Sequence, residues 1–593
     1  MGQLLRPSEF ILSYGVASII EGKGPRLVPV FERWNLSPVV FSGSAGSISQ
    51  YRIDDRNTRA QLGGGEVFTI PTNAKFDMPA IRPLYRTVRF PLWALCQDHH
   101  ILYRQGTRGR SNCPRCAGRN HDAQGEAIRF VRACPDGHLD DVDWKSTVHG
   151  SKSCTGDTFD WDETAGSDLK SVIIRCRKCR TEASLLDIYY RTDKCSGYFP
   201  EMDQFFGCDE EASVVLRSAT SLRYANVVTS LTIPPAALPI RNVLSQRAIG
   251  EGVLTLAEDA ADPKKKLVEI LDDITTKHPD KLDPETVTAI EAAPAEDIAE
   301  VLKDILHGEE KQKTAEEVKL EEFQALKHAA KYGYPQRPTS VPDFEVDVND
   351  VIPTLVHRGI DFRITPVKRL RVVIAQRGYS RPVRGPTKDG PGGKKVRIPV
   401  VERYYFEDEK RWFPGVALKG EGIFIDLRAR GPPFSKGRAG LWAEREKEAA
   451  ASPDSYRFNP LFVWWHTLSH RIINALSLDS GYSSASIRER VYFRYRTDGE
   501  PNEGGVLLYT SQEGADGSLG GLIALCQKPG ILFSNVLDIA ERDLDACSND
   551  PLCSKHTGGD NGAACYACLL LAETSCEFHN TSLDRLHLAG SLT

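Results

Sequence analysis

Residues 95–116, LCQDHHILYRQGTRGRSNCPRC, decide how the rest of the chain is read. Two residues separate Cys96 from His99, and two separate Cys113 from Cys116. A thiolate or imidazole pair at that spacing grips one Zn²⁺ from a single tight knuckle, and two such pairs complete the tetrahedron the ion prefers. The stretch therefore predicts a Cys3His site holding small structural modules together.

The pattern recurs downstream. Cys134 and His138 lie in FVRACPDGHLDDVDW and are followed by His149 and Cys154; these four are expected to close a Cys2His2 site. The nearby Asp140, Asp141 and Asp143 are read as partners orienting His138, or as turn and helix caps, rather than as catalytic acids. Cys176 and Cys179, with Cys195 and Cys208, have the paired layout of a zinc ribbon, although the spacing also allows Cys154 and Cys195 to exchange sites. Near the C-terminus Cys547, Cys553, Cys565, Cys568 and Cys576 supply one thiol too many for a tetrahedron. Cys553, Cys565, Cys568 and Cys576 are the expected ligands, with Cys547 as the alternative and His556 and His579 as outsiders. Cys526, in an apolar segment, is expected to be a buried small hydrophobe. Every site looks closed by four protein ligands, so the zinc, about three to four ions, is expected to be structural.

At 593 residues the chain has room for about three or four domains. Hydrophobic residues at 41% and charged residues at 26% are ordinary for a globular protein and argue against disorder. The opening MGQLLRPSEF lacks a signal pattern and no run of about 18 apolar residues occurs, so a cytoplasmic protein is expected. A net charge of −5 excludes a bulk polycation, and any nucleic-acid contact must be local.

The expected architecture is α+β and multidomain. Residues 1–90 read as a mixed entry domain containing PVVFSGSAG and EVFTIPTNAKF, and 91–230 as the zinc-module region. Residues 231–340 form a charged helical insertion with a stripe at Leu267, Ile270, Leu271 and Ile274; Pro263, Pro284 and Pro294 sit at helix starts, with Asp283 as a cap. Residues 341–455 are strand-rich, with LRVVIAQ and GIFIDLRA around the basic loop RGPTKDGPGGKK. Residues 456–593 are a cysteine-rich α/β domain. It opens with a helix whose Leu461, Trp464, Leu468, Ile472 and Leu476 repeat every three or four residues until Gly481. Ser486 and Glu489 then read as a capping box, followed by the strands VYFRY and GVLLYT and the turn EGADGSLGG.

No catalytic engine is legible, and a non-enzyme is expected. KDGPGGKK at Lys388–Lys395 lacks the first Gly and the Ser/Thr of a phosphate-binding loop. His466 and His470 keep the i,i+4 spacing of a zinc protease but have no Glu base between them, so they are read as polar contacts on the flank of a buried helix. Two basic stretches suit a nucleic-acid backbone. One carries Arg104, Arg108, Arg110, Arg115 and Arg119 around the first zinc pairs. The other runs through Lys368, Arg369, Arg371, Arg377, Tyr379, Arg381, Arg384, Lys388, Lys394, Lys395 and Arg397.

Taken together, FVRACPDGHLDDVDW, LRSATSLRYANVVTSLTIP, WWHTLSHRIINAL, GYSSASIRERVY and CSNDPLC…ACYACLLLAETSCEFHNTSLDR resemble the DrmB family, the B components of the bacterial DISARM anti-phage system. The resemblance spans most of the chain apart from the helical insertion, and its C-terminal part is that of a cysteine-rich helicase-associated family. It implies a DNA-binding subunit partnered by DrmA, a superfamily-2 helicase-like ATPase, so that the ATP site is supplied by the partner. This chain departs from the pattern at His99, where a cysteine is expected, and in SYGVASII near Gly15, which is less glycine-rich.

Overall fold

The computed structural model describes residues 5–592 apart from 22–23, 31–50, 54, 71, 74–84, 86, 107–112, 117–124, 164–165, 167, 234–243, 245–248, 250, 278–286, 289, 292, 294, 307–313, 335–342, 382–397, 399–411, 429–430, 433, 497–500, 512–519, 556–559 and 573. PVVFSGSAG, RGPTKDGPGGKK, Asp283, Pro284, Pro294, His556 and most of EGADGSLGG lie outside the described residues. The fold is mixed α+β and divides into two compact units, Met1–Thr229 with Val373–Ala417, and Ser230–Val372 with Leu418–Thr593. No helix among the described residues is long and apolar enough to cross a membrane.

The metal-bearing part of the first unit is made of short antiparallel strands. These are β1 (Trp93–Cys96), β2 (Ile101–Arg104), β3 (Glu126–Ala127), β4 (Phe130–Ala133), β5 (Leu139–Asp141), β6 (Phe159–Asp162), β7 (Ile173–Cys176), β8 (Glu182–Ser184), β9 (Thr192–Lys194) and β10 (Glu211–Leu216). One sheet has the order β8-β7-β6-β2-β1-β3 and another the order β9-β10-β4-β5. Two helices of six residues each, α1 (Trp144–His149) and α2 (Leu185–Tyr190), lie in the connections. Trp93, Trp144, Phe159, Trp161 and Ile174 are buried in the same apolar cluster, which gives these short strands one side to hide.

In the second unit α3 (Glu251–Glu258), α4 (Pro263–Lys277) and α5 (Ala295–Leu306) share a core of their own. Leu267 and Leu271 of the expected stripe are fully buried in it, while Ile274 packs at its margin. The following helix, α6 (Ala315–Tyr332), instead docks on a sheet, where Phe323 stacks on Tyr492 and Glu322 receives a bidentate bond from Arg490 at 2.8 and 2.9 Å. That sheet includes β11 (Ile352–His357), β12 (Ile360–Ser380), β13 (Trp412–Leu427), β14 (Ile487–Arg494) and β15 (Glu503–Thr510). The helix α7 (Lys436–Glu448) precedes the long α8 (Pro460–Asp479).

α8 begins where Asn459 accepts from the Leu461 amide at 3.0 Å and Pro460 occupies the first turn, and it stops before Gly481, whose φ of +77° only glycine adopts without strain. Its stripe, Leu461, Trp464, Leu468, Ile472 and Leu476, is buried against β14, β15 and α9 (Ile531–Ala540). Cys526 lies in the same core, 2% exposed. The capping-box reading of Ser486 and Glu489 is corrected: Glu489 is the third residue of β14, paired over its whole length with β15. The run IRERVYFR carries the β-branched Ile487 and Val491 and the aromatic Tyr492 and Phe493, and cross-strand packing overrides the local helix-start signal.

Candidate metal centres

The described residues gather Cys96, His99, Cys113 and Cys116 with their ligand atoms within 4.8 Å of one another. Cys96 Sγ lies 3.5 Å from His99 Nδ1 and 3.8 Å from Cys116 Sγ, and Cys116 Sγ lies 3.3 Å from His99 Nδ1. Zinc bonds of about 2.0–2.3 Å give a tetrahedron with edges of about 3.3–3.8 Å, which is the spacing observed here. The pair Cys96/His99 comes from the β1–β2 turn, whose register is fixed by Cys96 opposite Ile101.

The grouping expected for residues 134–208 is corrected. Cys134 and His138 meet Cys195 and Cys208, while His149 and Cys154 meet Cys176 and Cys179. Strand pairing is the reason. Cys134 and His138 sit in the β4–β5 turn, Cys195 and Cys208 in the connection between β9 and β10, and β10 pairs with β4 through Val215 opposite Val131. The inner quartet belongs to the other sheet: His149 ends α1, Cys154 precedes β6, and Cys176 and Cys179 flank the β7–β8 turn. Cys134 Sγ lies 3.3 Å from His138 Nδ1 and 4.0 Å from Cys208 Sγ, and Cys154 Sγ lies 4.0 Å from Cys176 Sγ.

Chemistry also favours metal at the inner quartet. Both ring nitrogens of buried His149 lack a hydrogen-bond partner, which is costly unless one of them serves a cation. Burial and neighbouring thiols raise the pKa of these groups: burial and Cys96 push Cys116 up to about 11, and Cys195 and burial push Cys134 up to about 12. Thiols so reluctant to ionise give up their protons to a metal, so zinc binding at these centres strengthens as pH rises.

At the C-terminus Cys547, Cys553, Cys565 and Cys568 form the fourth quartet, with Sγ separations of 3.5 Å for Cys547–Cys565 and 3.7 Å for both Cys553–Cys568 and Cys565–Cys568. The choice of Cys576 over Cys547 is therefore corrected. Cys547 is drawn in because Asp550 caps its turn, accepting from the Cys547 amide at 2.8 Å while taking a salt bridge from Arg585. Cys576 lies elsewhere, its Sγ 3.3 Å from His466 Nε2.

The acidic turn has the capping role. Asp143 caps α1 through the Ser146 amide, Asp140 accepts from the Asp141 amide, and Asp141 accepts from the Leu92 amide at 3.0 Å. Burial, reinforced by Asp140, pushes the Asp141 carboxyl up to about 7.

The basic residues separate into distinct settings. Arg104 and Arg115 are exposed; Arg108, Arg110, Arg119, Arg384, Lys388, Lys394, Lys395 and Arg397 lie outside the described residues. Lys368 pairs with Asp347 and Asp350, Arg369 with Glu345, and Arg371 with Asp343. Arg377 donates to the Gln61 carbonyl. The assignment of Arg381 to a nucleic-acid surface is corrected: its side chain is fully buried, bonded to Glu201, to the Leu222 carbonyl at 3.0 Å and to the Gly137 carbonyl. Buried guanidinium groups need such partners, and Glu201, invisible as a partner in the sequence, supplies the charge.

The class these quartets define is a zinc-binding protein. The MrfA Zn-binding domain family matches residues 468–569, which include the fourth quartet, and a domain of unknown function, DUF8724, matches residues 6–224, which include the other three. The particular relative that spans the chain is the DISARM protein DrmB of Bacillus paralicheniformis (strain ATCC 9945a / NCIMB 11709 / CD-2), 26% identical over 91% of this chain and 94% of its own length. A solved structure described as DUF1998 helicase MrfA bound to DNA aligns with 38% of this chain and 24% of that chain at 8% identity and a TM-score of 0.18, a likeness too slight to carry an argument.

Proposed function

We propose that this chain is a non-catalytic, cytoplasmic DNA-gripping subunit of a DISARM defence complex, serving a superfamily-2 helicase-like ATPase. The observation that carries the reading is the loop between His99 and Cys113, both of which face one Cys3His centre. Arg104 stands exposed at the end of β2 and Arg115 stands exposed between Cys113 and Cys116, and Arg108 and Arg110 fall between the two in the sequence. Metal at the loop's base would fix a cationic segment for a phosphate backbone without requiring a large apolar core beneath it. Full-length similarity to DrmB supports the setting, and the absence of a phosphate-binding loop from the sequence supports an ATPase supplied by the partner.

The test is DNA retention by the purified full chain across a salt series. The double reversal Arg108→Glu, Arg110→Glu should weaken retention and lower the slope of log affinity against log salt by about 2, one for each phosphate that is no longer neutralised. An unchanged slope would sink the loop as the grip. Incubation with DNA and Mg²⁺ or Mn²⁺ should leave the DNA intact; cutting that Asp141→Ala abolishes would replace this reading with a nuclease. Stimulation by this chain of a co-purified helicase-like ATPase on DNA is the expected partner signature.

A further inference from the structure

We infer that His466, His470, Glu489 and Cys576 form a fifth closed metal centre, binding a divalent transition ion of the Zn²⁺ type, beneath the cysteine quartet of the second unit. The four ligand atoms lie within 4.8 Å of one another and every one of the residues is buried. Glu489 Oε1 lies 2.9 Å from His466 Nε2 and 3.3 Å from His470 Nε2, and Cys576 Sγ lies 3.3 Å from His466 Nε2. These separations are near the edges of a zinc tetrahedron, about 3.3 Å between nitrogen or oxygen ligands.

Hydrogen bonding alone does not account for the arrangement. Glu489 Oε1 and His470 Nε2, 3.3 Å apart, make no well-directed hydrogen bond. A convergence of lone pairs at short range in a dry interior is repulsive unless a cation sits among them.

The surroundings orient each group for coordination. His470 Nδ1 lies 2.9 Å from the Leu569 carbonyl, so the Nδ1 proton is held there and the Nε2 lone pair faces the centre. Ser469 Oγ donates to Glu489 Oε2, leaving Oε1 for the ion. The Asn580 amide donates to Cys576 Sγ at 3.2 Å, a bond suited to a thiolate. Charge also closes: a divalent ion with one carboxylate, one thiolate and two neutral imidazoles is electrically neutral, the state a fully buried centre tolerates best. Leu569 directly follows Cys568, so the carbonyl that aims His470 belongs to the backbone of the neighbouring quartet.

The sequence separates these ligands into a helix, a strand and a turn, and only the i,i+4 pair is visible in it. The centre has four protein ligands and no open position, so its role is to tie α8, β14 and the turn at Cys576 together.

Anomalous diffraction at the zinc edge from the full-length protein tests the inference without any substitution. A peak between His466, His470, Glu489 and Cys576 is expected; peaks at the cysteine quartets with none here would overturn it. A second measurement is metal content: Glu489→Gln, nearly isosteric, should lose one ion per chain and keep the rest, and a variant retaining the wild-type zinc content would likewise overturn it.

Discussion

The two units solve the same stapling problem with opposite resources. In the first, two quartets are nested along the chain: Cys134 and His138 wait for Cys195 and Cys208, while the complete set His149, Cys154, Cys176 and Cys179 lies between them. Their strands are two to six residues long. In the second, all four thiols of the cysteine quartet fall between Cys547 and Cys568, beside a core that buries Trp464, Trp465, Phe462, Leu468, Ile472 and Phe533 completely. A metal that closes a long loop restrains more of the unfolded chain than one that closes a short loop, and short strands offer little burial in exchange. Zinc at the nested quartets is therefore a condition of folding for their sheets, whereas at the cysteine quartet it is a local clasp beside an apolar core.

The largest expected effect breaks this comparison directly. Chelation of the full chain should expose the amides of β4, β5, β9 and β10 to hydrogen exchange first, whereas those of α8, β14 and β15, held by the apolar core as well as by the buried centre at Glu489, should lose protection later and less. Structural zinc in finger peptides contributes on the order of 10–16 kcal/mol, above the net stability of most domains. Equal loss of protection in both units would show that the apolar core gives no independence.

Next in size are two buried arginine–glutamate pairs among the described residues, one in each unit. Arg381 is bound to Glu201 in the first and Arg490 to Glu322 in the second, and all four side chains are almost wholly buried. Removing one partner of such a pair costs about 3–5 kcal/mol because the other charge is left without compensation. Glu201→Gln and Glu322→Gln, followed by thermal unfolding of the full chain, sharpen the contrast. Glu322→Gln should also release α6, since Lys319 and Glu577 complete that network, whereas Glu201→Gln should disturb residues around Gly137, and with them the outer nested quartet.

How much of this is legible in the sequence follows from the same contrast. The knuckle Cys96, His99, Cys113, Cys116 is readable because both pairs show the two-residue gap, and α8 is readable because one stripe repeats over about four turns. The nested partition is not, since chain order carries no information about which hairpin lies beside which; the pairing of β10 with β4 decides it. The preference for Cys576 over Cys547 fails for a related reason: the ligand is placed by Asp550 and Arg585, residues that no cysteine spacing reveals. Arg381 looks like one more cation in a basic run because burial is a tertiary property, while the acids that meet Lys368, Arg369 and Arg371 all fall between Asp343 and Asp350, upstream of the run itself.

The smallest expected effect concerns the acidic turn of the first unit. The Asp141 carboxyl, raised to about 7 by burial and by Asp140, holds its proton more tightly in the folded chain than in the unfolded one, where a carboxyl near 3.9 ionises first. Between about pH 4 and 7 the folded state therefore binds more protons, and the turn's contribution to stability declines as pH rises through that window, then levels off. Asp141→Asn keeps an acceptor for the Leu92 amide and removes the titration. The melting temperature of the variant relative to wild type should climb from pH 5.5 to 7.5 and then flatten, by an amount of order 1 kcal/mol, or a few degrees in a unit of this size. Taking the difference cancels the proton release of the zinc thiols, which both proteins share, so a flat difference would mean that Asp141 is solvated and that the nested sheets are less tightly closed around it than the geometry indicates.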